Sequence, residues 1–176
     1  MIGKLSITAL LLAASLMAGN LSFESGVIKG HTEVFGDSTI DPMFKKATSH
    51  LMLDDTLMSL RGSIDVSMSD FFSDNKKRDE HMQEVLESSL FPKAVFDVKE
   101  VVAKGSDTYL IKGMMTLHGV TKPLSFEGTM NEEGNKLHIK AQSSLKMTDY
   151  GIKPIKMMFL TVRDQVDLSV DVTLKR

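Results

Sequence analysis

The side chains able to do chemistry in this chain are few and scattered. There are five histidines: His31, His50, His81, His118 and His138. His81 and Glu84 stand three residues apart, a spacing that on a helix puts two metal ligands on one face, yet no third ligand follows at useful spacing. His118 lies beside Gly119, where it reads as a strand-end or turn residue. Asp54-Asp55 and Glu132-Glu133 are carboxylate pairs, but neighbours on an extended chain point to opposite faces and cannot share a proton. They read as loop charges. There is no Gly-x-Ser-x-Gly turn to carry a nucleophile and no glycine-rich phosphate loop ahead of a helix. Cysteine is absent, which excludes disulfides, thiolate metal sites, a thiol nucleophile and a lipid-modified cysteine. The residue types therefore point away from catalysis and from a metal, and toward binding.

Composition narrows the partners further. The 176 residues suit one domain, and the formal net charge of −2 gives no basic face for nucleic acid. The basic run Lys76-Lys77-Arg78 is followed at once by Asp79-Glu80 and reads as a solvated loop. There is no Trp but there are 13 Met, whose unbranched, polarizable side chains adapt to irregular gaps and variable ligands.

Residues 1–18 have the layout of a secretory signal: Lys4, an apolar run from Leu5 to Met17, and Ala18-Gly19 as the cleavage point. The run is too short for a stable membrane span, which needs about 20 apolar residues. The expectation is export, to the periplasm in a cell with two membranes, and a mature domain over residues 20–176.

Those residues show alternation with period two. Apolar Leu60, Ile64, Val66 and Met68 oppose Arg61, Ser63, Asp65, Ser67 and Ser69. Tyr109, Ile111, Met115 and Leu117 oppose Lys112, Thr116 and His118. Leu137, Ile139, Ala141, Leu145 and Met147 alternate with His138, Lys140, Gln142, Ser144 and Lys146. Val166, Leu168, Val170, Val172 and Leu174 alternate with Gln165, Asp167, Ser169, Asp171 and Thr173. Shorter runs at residues 49–53, 95–102 and 124–130 follow the same rule. Such strands are half-buried, with one face on an apolar interior. Polar turns at residues 105–107, 119–123 and 131–135 join them as hairpins, and a long antiparallel meander removes its edges by closing. One segment differs: from Asp79 to about Ser89, Met82, Val85, Leu86 and Leu90 fall at helical spacing, with Asp79 as N-cap and Pro92 beyond the end. The expected fold is all-β, an antiparallel lipocalin-like barrel of about eight strands with one short amphipathic helix lying across it.

Several local motifs are similar to those of the YceI family of lipocalin-like periplasmic proteins. Arg78-Asp79-Glu80-His81-Met82 resembles the family's R-D-x-H-L, and Phe91-Pro92-Lys93-Ala94-Val95-Phe96 its aromatic-Pro strand entry. Residues 113–123, GMMTLHGVTKP, resemble G-x-L-T-I-x-G-V-T-K-P, and Thr148-Asp149-Tyr150-Gly151-Ile152 resembles S/T-D-F-G-I. The resemblance covers the stretch from about residue 48 to the C-terminus. It implies a cavity occupied by an isoprenoid quinone, a polyprenyl chain or a fatty-acid-type lipid, with no other cofactor, and it is compatible with a homodimer. The candidate ligand-facing wall is Ile64, Val66, Phe96, Val98, Tyr109, Ile111, Met115, Leu117, Phe126, Leu137, Ile139, Leu145, Met147, Leu168 and Val170. Few of these are aromatic, while Gly62, Gly113, Ala141 and Ser143 are small, which favours an open cavity over an interior filled by its own side chains. The other reading of the same pattern is a filled barrel serving a periplasmic redox or stress system as a structural or interaction partner.

Overall fold

A strand with one apolar face needs a partner surface, and here the strands provide it for each other by closing into a ring. The computed structural model describes residues 19–34, 38–154, 156–157 and 160–176; the expected signal segment lies outside the described residues. The elements run β1 (Gly19–Val34), β2 (Ser38–Ile40), β3 (Met43–Phe44), β4 (Thr48–Leu53), β5 (Arg61–Ser67), α1 (Lys76–Val85), β6 (Lys93–Gly105), β7 (Thr108–Leu117), β8 (Val120–Glu133), β9 (Lys136–Lys146), β10 (Lys156–Met157), β11 (Leu160–Thr161) and β12 (Gln165–Lys175). Eight of them form the barrel in the order β12-β9-β8-β7-β6-β5-β4-β1, and β1 closes it on β12, all antiparallel. Short β2 and β3 add to β1, and β10 pairs with β11 alone.

The hairpins are tighter than the polar runs suggest. Each has a two-residue turn: Ser106-Asp107 with φ of 46° and 62°, His118-Gly119 with 50° and 74°, and Gly134-Asn135 with Gly134 at 60°. Left-handed turn residues match the twist of the flanking strands, so residues 120–123 and 131–133 continue as strand instead of forming loop. A bulge at Lys99 breaks the parity of β6: Val98 lies opposite Gly113 and Glu100 opposite Lys112, so that Val101, not Val102, is buried. Asp65, placed by alternation on the water face of β5, is only 6% exposed. Its carboxylate meets Lys93 Nζ at 2.9 Å, with His50 Nε2 at 3.9 Å, and this pairing compensates its burial.

The helix also departs from expectation. It starts at Lys76 because Asn75 caps it, the Asn side-chain oxygen accepting from the Arg78 N–H at 3.1 Å. Asp79 is inside the first turn, where it accepts from the Ser73 N–H and hydroxyl at 2.9 and 2.5 Å. The basic run is thus helix and not loop, and Arg78 donates to the Thr39 carbonyl at 3.2 Å and to Asp74. The helix ends at Val85, leaving Leu90 exposed. None of its residues is fully buried; Val85 and the following Leu86 rest on the end of the barrel, against Leu145, Tyr150 and Ile152.

Candidate ligand site

Inward residues of the barrel strands form one apolar interior with two centres. The larger includes Leu21, Leu53, Met130, Leu137 and Leu174, each at most 2% exposed, at the end away from α1. Arg176 closes that end, its Nη2 donating to the Asp54 carbonyl at 3.0 Å and the Glu132 carboxylate at 2.9 Å. The smaller centre, Leu145, Tyr150 and Ile152, lies under α1, and Met115, Leu124 and Leu168 pack against both. Burial pushes the Tyr150 phenol above its ordinary pKa, with the neighbouring Asp149 charge acting in the same direction.

Within the larger centre is a cavity of about 110 Å³ lined by sixteen apolar residues, of which Met115 also packs against the smaller centre. Nine come from the expected wall: Ile64, Val66, Phe96, Val98, Ile111, Met115, Phe126, Ile139 and Val170. Tyr109 and Leu137 belong to the larger centre without lining the cavity, and Leu117, Leu145 and Met147 belong to the smaller one. Leu168 packs against both centres and borders a groove on the outside. The remaining lining residues are Ile28, Leu51, Leu60, Ala94, Ala141, Val172 and Leu174. Alternation already marked Leu60, Ala141, Val172 and Leu174 as inward. Ile28 carries no such local signal, since β1 is interrupted by glycines and by a register shift between Phe23 and Ser25.

Gly113 and Gly62 do not create the expected open space. A β-carbon at Gly113 would lie 2.6 Å from the tip of Phe96, so that ring occupies the place of the missing side chain. Phe96 in turn meets Phe126 edge-on, with centroids 5.0 Å apart. Gly62 is a backbone requirement: its φ is 99°, and a β-carbon would lie 2.2 Å from the His50 carbonyl oxygen. What remains is a cavity of about 110 Å³.

The polar residues form local bridges. His118 sits with Nδ1 3.2 Å from the Tyr150 carbonyl and Nε2 2.7 Å from Glu87, tying the helix end to the barrel end. His31 Nδ1 lies 2.7 Å from Asp41, His81 Nδ1 is 3.6 Å from Glu84, and His138 Nδ1 is 3.0 Å from the Thr173 hydroxyl. Among the described residues, no group of three or more His, Asp or Glu side chains is placed to hold a metal ion.

A family model, the YceI-like domain, matches residues 20–174. The chain belongs to the YceI-like family. The motifs of residues 78–82, 91–96, 113–123 and 148–152 are thus those of a YceI-like barrel, at its helix, its strand entry, one hairpin and one turn. A UPF0312 protein of Pseudomonas putida (strain W619) is 33% identical over 99 residues, covering 52% of this chain and 52% of that protein. The chain spans about half the length of the curated relatives it matches. Among solved structures, BcnA of Burkholderia cenocepacia is similar with a TM-score of 0.74 at 14% identity, covering 85% of this chain and 95% of BcnA. A polyisoprenoid-binding domain from Saccharophagus degradans aligns with a TM-score of 0.65 at 11% identity, over 89% of this chain and 97% of that one. At these identities the likeness shows a shared fold.

Proposed function

We propose that this YceI-like barrel is an exported, periplasmic carrier that encloses the tail of an isoprenoid or another long amphiphile and acts by binding alone. The observation that carries the reading is the cavity wall: sixteen side chains, none of them polar, at the centre of a barrel. Each methylene buried against such a wall contributes roughly 0.8 kcal/mol before association and ordering costs. The polyisoprenoid-binding description of the Saccharophagus degradans domain, which shares the fold, supports the same class of ligand. A cavity of 110 Å³ takes only a short stretch of chain, so a longer tail has to displace side chains. Met115, unbranched and lying between the two centres, is the residue best suited to move.

The size of the cavity favours a second reading, a filled barrel that serves as an interaction partner. Organic extraction of protein purified from its native host, followed by mass spectrometry, separates the two. The carrier yields a prenyl or acyl amphiphile in stoichiometric amount; a preparation with no extractable lipid leaves the filled barrel. Export is tested by N-terminal sequencing of the native protein, which should begin at Gly19 or Asn20; an intact Met1 contradicts it.

A further inference from the structure

Two of the family motifs meet where the barrel wall is parted. β8 pairs with β7 up to Val120 opposite Leu117. Its ladder with β9 begins only at Glu127 opposite Gln142, although β9 continues against β12 as far as Lys146 opposite Gln165. Residues 121–126 of β8 and 143–146 of β9 therefore face each other without a ladder. The Ser143 hydroxyl crosses the gap, donating to the Ser125 carbonyl at 2.7 Å. At the helix end, Lys122 Nζ reaches Asp149 Oδ1 at 3.1 Å, joining residues 113–123 to residues 148–152. Backbone groups alternate in direction along a strand, so residue 123 faces the gap as Ser125 does. That residue is proline, which has no N–H to leave unpaired.

Outside the gap lies a groove of about 880 Å³. Its lining includes Leu124 and Leu168, which also pack against both apolar centres. Its rim charges are compensated: Lys29 and His31 are both held by Asp41, at 2.9 and 2.7 Å, and Asp167 is held by Arg163 and Gln165, at 3.2 and 2.6 Å. An anionic head would have to take a cation from Asp41. Gln142, Ser125, Ser144 and Ser169 offer uncharged donors and acceptors.

We propose that the parted segment of β8 and β9 is a side entrance for an apolar tail, and that the groove outside it selects an uncharged hydrogen-bonding head over an anionic one. The headgroup assignment rests on the carrier reading; the entrance does not.

The chain has no cysteine, so single-cysteine variants report access without background. In the full mature chain, Leu124→Cys and Leu168→Cys should react with a maleimide roughly tenfold faster than Ile64→Cys and Val170→Cys, half-buried inward residues on the cavity wall, because the gap opens locally. Cooperative melting qualifies each variant. In the unaltered chain, the gap-facing amides of Thr121 and Ser125 should exchange faster than those of Glu127, Thr129 and Asn131, which face β9 where the ladder is formed. Equal thiol rates, or equal exchange, overturn the entrance. For the head, native mass spectrometry compares geranylgeraniol with geranylgeranyl diphosphate, which share a tail. The alcohol should bind at least about tenfold tighter, a difference of about 1.4 kcal/mol. Equal or tighter binding of the diphosphate overturns the headgroup assignment. Uptake of neither probe overturns the carrier reading and the headgroup with it, while the thiol and exchange patterns still decide the entrance.

Discussion

At Gly113 a β-carbon would lie 2.4 Å from the Asp97 carbonyl oxygen and 2.6 Å from the Phe96 ring. The ring could shift, but the backbone oxygen could not without bending β6. Gly113→Ala should therefore destabilise the barrel by about 1–3 kcal/mol, read as a lower denaturant midpoint at unchanged slope. A second residue-scale test concerns His31, whose hydrogen bond to Asp41 raises its pKa, opposed by burial. Burial pushes the Asp41 carboxyl up, but hydrogen bonds from His31, Lys29 and Thr39 outweigh it and hold the group at about 2. Asp41 thus contributes stability above its unfolded pKa of about 3.9 and loses it as pH falls toward 2; His31 contributes below about 6.5 and loses it as pH rises through its raised value. Glu33, and Asp167 opposite His31 in the β1–β12 ladder, also face the imidazole. Asp41→Asn should lower the His31 pKa in an NMR titration and flatten the fall in melting temperature on its alkaline side. An unchanged His31 pKa would show that Glu33 and Asp167 carry the shift.

Among the elements, α1 is held by its cap and its neighbours more than by burial, since none of its residues is fully buried. Removing the Asn75 cap with Asn75→Ala should cost about 1 kcal/mol. Because the helix lies on the barrel end without filling it, the loss should appear as faster amide exchange over residues 76–85, with the global midpoint nearly unchanged. A full shift of the global transition would mean that helix and barrel unfold together. The hairpins belong to the same scale. Each two-residue turn lengthens its strands by residues that look like loop in the sequence, and this brings Lys122 and Pro123 into the wall.

For the whole molecule, closure of β1 on β12 turns separate apolar faces into one interior, and the stability of that interior resists charge. Ile139, 6% exposed and on the cavity wall, is the position for that test. Ile139→Glu should leave little prenyl probe bound, because a carboxylate there either distorts the barrel or draws water into it. A variant that still melts cooperatively and keeps wild-type stoichiometry would place the ligand elsewhere. At the sealed end, Leu53→Ala and Leu174→Ala should each cost about 2–5 kcal/mol, since both side chains are almost wholly enclosed.

Strand identity and facing direction were legible in the chain itself, because alternation is a local consequence of the pleat: Ile64 and Val66, Ile111 and Met115, Ile139, and Val170 all face inward as their spacing requires. The motifs of residues 113–123 and 148–152 likewise marked the family. Contacts between distant residues were not legible. The bulge at Lys99 reverses parity only because β7 sets the register, Ile28 reaches the cavity through the β1–β12 pairing, and Asp65 is buried by Lys93 and its neighbours. The gap between β8 and β9 has no sequence signature beyond one proline. Free volume is the least local quantity of all, being a small difference between the space a closed barrel encloses and the side chains that fill it. Gly113 suggested room, and only the tertiary structure shows the Phe96 ring already occupying it.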